Sequence, residues 1–80
     1  MDVKEQLVAE TKRWLEKIMA ERKIIERTTE NGDFLKNIDA YISDSAYFLK
    51  EGKLIESLEA LIWAWAYVTI GKDLGILAER

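Results

Sequence analysis

A chain of 80 residues has room for one small domain, and with no cysteine and no histidine it has neither disulfides nor the usual zinc ligands to hold it. The same two absences exclude Ser-His-Asp and Cys-His catalysis, and a net charge of −3 disfavours a nucleic-acid partner. Apolar residues make up 49% of the chain, a globular composition, so stability in so small a domain must come from helix packing or self-association.

The first element is a helix over about residues 2–27. Asp2 is placed to cap it, with Glu5 three residues later as in a capping box. Val3, Leu7, Trp14, Leu15, Ile18 and Ile25 recur at helical spacing and form one narrow apolar face, interrupted by Thr11 and Arg22. Residues 12–27 carry six basic and three acidic side chains. Lys12/Glu16, Lys17/Glu21 and Arg22/Glu26 have i,i+4 spacing, so this strip reads as a solvated, ion-paired face. Weak RNA binding through it is an alternative, disfavoured because no aromatic or glycine-rich stretch interleaves the charges.

A turn follows at residues 28–33. Asn31-Gly32 suits a positive φ, and Asn31 or Asp33 is placed to cap the next helix. The second helix covers about residues 33–51. Phe34, Ile38, Tyr41, Ile42, Ser45, Phe48 and Leu49 share its apolar face, and Ser45 is expected to bond back to the carbonyl four residues earlier. Gly52 is a natural left-handed stop. The third helix starts at once, over about residues 53–74, with Gly75 as its stop. So short a link folds helices two and three into a tight antiparallel hairpin. Counting outward from Gly52, Ala60 opposes Asp44 and Ala64 opposes Tyr41. Gly71 lies inside the third helix, at a cost of about 1 kcal/mol relative to alanine, and so marks a close contact or an early end.

Residues 60–71 carry no charge and hold Trp63 and Trp65. Twelve helical residues span about 18 Å against roughly 30 Å of bilayer hydrocarbon, so the stretch reads as a buried helix and no membrane partner is expected. Leu54, Leu58, Leu61, Trp65 and Val68 fall on one side and are the expected inner face. Trp63, Tyr67, Ile70 and Leu74 form a second stripe on the opposite side. Either the helix lies between the other two, or Ile76 and Leu77 fold back over that stripe, or the stripe meets a protein partner, most simply a two-fold copy of the chain, or it lines a ligand pocket.

From Tyr41 to Gly52 the chain reads Tyr-Ile-Ser-Asp-Ser-Ala-Tyr-Phe-Leu-Lys-Glu-Gly. Glu59-Ala60, Trp63-Ala64-Trp65, Gly71 and Leu74-Gly75 follow. This pattern resembles a small archaeal family catalogued as domain of unknown function 357. The likeness covers about residues 34–77. It implies a compact set of three α-helices, and it supplies no catalytic residue.

The expected fold is therefore all-α, a single domain over residues 1–80 built as a three-helix bundle with a tight hairpin of helices two and three. No phosphate-cradling loop is present. Glu56/Glu59 has the i,i+3 spacing of a di-iron ligand pair without its histidine. No catalytic, metal or cofactor-binding residue is expected, and the chain reads as a non-enzyme. Without a basic, apolar leader, a cytoplasmic location is expected. The favoured function is a protein-interaction or self-associating module, with Trp63, Tyr67, Ile70 and Leu74 as the partner surface. A small-molecule or nucleotide site between helices two and three, anchored by Tyr41 and Asp44 near Trp63, is the alternative.

Overall fold

A computed structural model describes residues 2–78. Three helices follow one another: α1 Val3–Lys23, α2 Gly32–Lys50 and α3 Leu54–Asp73. Among the described residues there is no strand. All helix ends but one lie within a residue of expectation. Asp2 caps α1 by accepting the Glu5 N–H at 2.8 Å, which satisfies one of the donors orphaned at a helix start. Gly52 and Gly75 take φ of 76° and 72° and terminate α2 and α3, the left-handed geometry that glycine adopts without a Cβ penalty.

The exception is the end of α1, which stops at Lys23 and not near residue 27. Ile25 is fully buried, and the chain leaves the helix to drive it into the core. Arg22 supports the exit by donating from Nη1 to the Ile25 carbonyl at 3.3 Å. The Asn31-Gly32 turn also differs from expectation. Gly32 has no positive φ and opens α2. Asn31 makes no side-chain cap to the helix. Its Oδ1 accepts the Thr28 N–H at 2.8 Å, and its Nδ2 donates to the carbonyls of Glu26 at 2.8 Å and Ile76 at 3.4 Å. A fully buried amide must find such partners. Asn31 thereby ties the turn to the chain after α3.

The hairpin of α2 and α3 is the tightest packing in the molecule. The inner face of α3 is Ser57, Ala60, Leu61, Ala64, Val68 and Gly71. Leu61 and Val68 are inside as expected, but Leu58 and Trp65 are only half-buried and Leu54 sits at the margin. The helix is turned by roughly 70° from the expected orientation, counting about 100° per residue. Small residues explain the turn, because they let α2 approach closely where leucines would hold it off. At the contact Ser45 Oγ donates to the Ser57 carbonyl at 2.9 Å, and Ser57 Oγ donates to the Ser45 carbonyl at 2.8 Å. Ser45 therefore bonds across the hairpin and not back along its own helix. Thr11 on α1 is the residue that makes the back-bond, to the Leu7 carbonyl at 2.7 Å.

Leu15, Ile18, Ile25, Leu35, Ile38, Leu61, Ala64, Val68 and Leu77 form the core. Each large member contributes about 1.5–3 kcal/mol by leaving water. Leu35 is fully buried, although its sequence position did not place it on the apolar face of α2. Leu77 folds back onto Gly71, where an added Cβ would lie 2.5 Å from Leu77 Cδ1 and 3.2 Å from Phe34 Cδ1. Gly71 thus marks a close contact, one of the two readings its position allowed. Val3 and Leu7, expected on the inner face of α1, are exposed, and the molecule is elongated at 44 × 18 × 17 Å.

Candidate functional site

The unusual surface is the side of α3 turned away from the core. Trp63, Ile70 and Leu74 are 56%, 51% and 65% exposed there, joined by Ile55 at 68% and Ile62 at 65%. The chain after α3 does fold back, but Leu77 covers Gly71 and leaves this face open. Ala66 and Thr69 lie between the larger side chains and complete a strip free of charge from residue 60 to residue 71. Contiguous apolar surface of this kind marks an interaction site more often than a bare monomer surface.

Not every residue of the expected stripe belongs to this face. Tyr67 is half-buried in an aromatic stack, 5.7 Å from Tyr41 and edge-on to Phe34 at 5.5 Å. Trp63 joins the stack through its contact with Tyr41 at 6.3 Å, which fixes the ring while leaving over half of it in solvent. Ile55 and Ile62 were absent from the expected stripe. Their signal was available: Ile55/Ile62 and Trp63/Ile70 are each seven residues apart, a spacing that keeps side chains on one side of a helix.

The expected ligand anchors, Tyr41 and Asp44, lie three residues apart on α2. Tyr41 is held in the aromatic stack, while Asp44 is exposed. The indole Nε1 of Trp65 is buried with no hydrogen-bond partner among the described residues. Its ring meets Trp14 edge-on at 5.8 Å. The largely apolar concavities lie elsewhere. One of about 350 Å³ sits between α1 and α2, floored by Met19, Ile42 and Ala46 and rimmed by Arg22, Lys23 and Asp39. A second lies against Trp65, beside Lys17 and Ile24. Both are shallow and open.

Several charges of the basic strip of α1 pair otherwise than its spacing implied. Arg22 grips Asp39 of α2 through Nε at 2.6 Å and Nη2 at 3.2 Å. Arg13 pairs with Glu10 at 2.6 Å, and Glu21 pairs with Lys72 of α3 at 2.9 Å. Lys17 lies 4.3 Å over the Trp14 ring, a cation–π contact. Among the described residues no group of His, Cys, Asp and Glu is arranged to hold a metal ion. By length and composition the 20 residues of α3 would suffice to cross a membrane, although the core helix of a soluble protein passes the same test.

Comparison with known proteins agrees with this architecture. The family model described as protein of unknown function (DUF357) matches residues 8–77. The crystal structure of protein AF1782 from Archaeoglobus fulgidus, of the same family model, superposes with a TM-score of 0.89 at 44% identity, covering 99% of this chain and 100% of that one. No curated protein matches.

Proposed function

Because the chain belongs to the DUF357 family, whose function is unknown, its role has to be read from its surface, and we propose that it is a non-enzymatic module that binds another polypeptide through the outer face of α3. The observation that carries this reading is the exposure of Ile55, Ile62, Trp63, Ile70 and Leu74 on one side of one helix. Five large apolar side chains exposed on one helix side can supply the apolar part of a standard interface of about 800 Å² per partner. The half-anchored Trp63 ring supplies the large, pre-positioned aromatic on which binding energy concentrates. A cytoplasmic setting suits a chain without cysteine. The serine-bonded contact of α3 with α2 favours a helix of a folded domain over a membrane span.

Ile62→Glu with Ile70→Lys tests the reading, because both side chains are exposed and neither takes part in the aromatic stack. The variant is expected to stay folded, within about 0.5 kcal/mol per site of wild type. The wild-type chain, used as bait in an extract of its source cells, should retain a protein that the variant loses. Equal retention by the two would refute the reading.

A further inference from the structure

The charges around the α3 face say what kind of chain it accepts. Glu59 and Asp73 are both exposed and lie seven residues either side of Ala66, on the same strip. They bracket the uncharged stretch about 21 Å apart along the axis, and exposed Glu56, seven residues before Trp63, adds a second carboxylate at the Glu59 end. The negative end of the helix dipole adds to Asp73. The lysine beside Asp73, Lys72, is turned to α1 and bound to Glu21. Lys53 lies before the first turn, at the far end from Asp73. The strip between the carboxylates is one helix wide, Trp63 and Ile70 on it are seven residues apart, and small Ala66 sits at its centre. That is the form of a seam made for another helix.

We propose that this face takes an amphipathic helix of another protein, apolar along the contact and carrying lysine or arginine at two places about 14 residues apart, opposite Glu59 and Asp73. The proposal rests on the interface reading above and adds the partner's chemistry. Charge decides against the other occupants. In an antiparallel pair of copies centred on Ala66, Glu59 meets Asp73 of the second copy at both ends. In a parallel pair each carboxylate meets its own equivalent. Like charges at both ends oppose either arrangement. An anionic lipid surface is opposed for the same reason.

Two synthetic helical peptides test this, identical in their leucine stripe. One carries lysine at two positions 14 residues apart, and the other carries glutamate there. The lysine peptide should bind the full chain about tenfold more tightly than the glutamate peptide at low salt. The gap should close as salt is raised. Glu59→Lys with Asp73→Lys, folded by circular dichroism, should reverse the preference. Equal binding of the two peptides, or a preference that the double substitution leaves unchanged, overturns the proposal. If the chain alone doubles in mass, and more so at high salt, the occupant is a second copy; the proposal then falls while the face remains an interface. If neither peptide binds, the chain stays monomeric, and Ile62→Glu with Ile70→Lys behaves as wild type, the interface reading falls as well.

Discussion

At Gly71 the hydrogen in place of a side chain is what lets the chain after α3 close over the core. A methyl group there would overlap Leu77, which is itself buried, and crowd Phe34. The gain in helix propensity from alanine is about 1 kcal/mol, and overpacking costs about 1–3 kcal/mol. Gly71→Ala is therefore expected to lower stability, seen as a reduced urea midpoint. Leu77→Ala alone should cost about 2–5 kcal/mol. In the double variant the penalties should sum to less than their total, because the shortened Leu77 removes the clash. Strict additivity would show that the two residues do not meet. Single residues were unevenly legible in the sequence. The caps at Asp2, Gly52 and Gly75 follow from local backbone chemistry and were legible. The role of Asn31 was not, because two of its partners, Glu26 and Ile76, belong to different parts of the chain.

The helices themselves were readable from apolar spacing, but the direction in which α3 faces was not. Leucines and a tryptophan marked one side as inner, whereas closeness of approach to α2 selected the side with serine, alanine and glycine. The Ser45–Ser57 pair shows the advantage of that choice. Two hydroxyls and two carbonyls satisfy one another where both serines are fully buried. Ser45→Ala should cost about 1 kcal/mol, the net value of a buried hydrogen bond. Ser45→Ala with Ser57→Ala should cost nearly the sum of the two single substitutions, since each hydroxyl donates to a main-chain carbonyl that the other substitution leaves in place. Chemical denaturation of the three variants provides the cycle. The same rotation of α3 places Ile55, Ile62, Trp63 and Ile70 in solvent. The exposed apolar face of α3 was thus half legible: Trp63, Ile70 and Leu74 are exposed on it, and Tyr67 is drawn into the aromatic stack instead.

Taken as a whole, the molecule is a hairpin with a third helix laid along it and the segment after α3 folded over one end. Ion pairs join α1 to both hairpin helices, through Arg22–Asp39 and Lys72–Glu21, and Asn31 links the turn after α1 to Ile76. The link between α2 and α3, residues 51–53, is so short that the two helices meet by closing a very small loop. Loop closure of that length carries little entropic penalty, whereas bringing α1 or Leu77 into place orders far more chain. This gives the molecule an order of assembly. The hairpin is the first part able to form, in a domain whose local contacts permit folding on the order of milliseconds or faster. Ile38→Ala, inside the hairpin helix α2, should slow refolding in stopped-flow experiments. Leu15→Ala, on α1, should leave the refolding rate nearly unchanged and speed unfolding. The reverse pattern would place α1 in the folding nucleus. On the expected pattern the exposed apolar face of α3, because it lies on a hairpin helix, takes shape at the first step of folding and precedes the docking of α1.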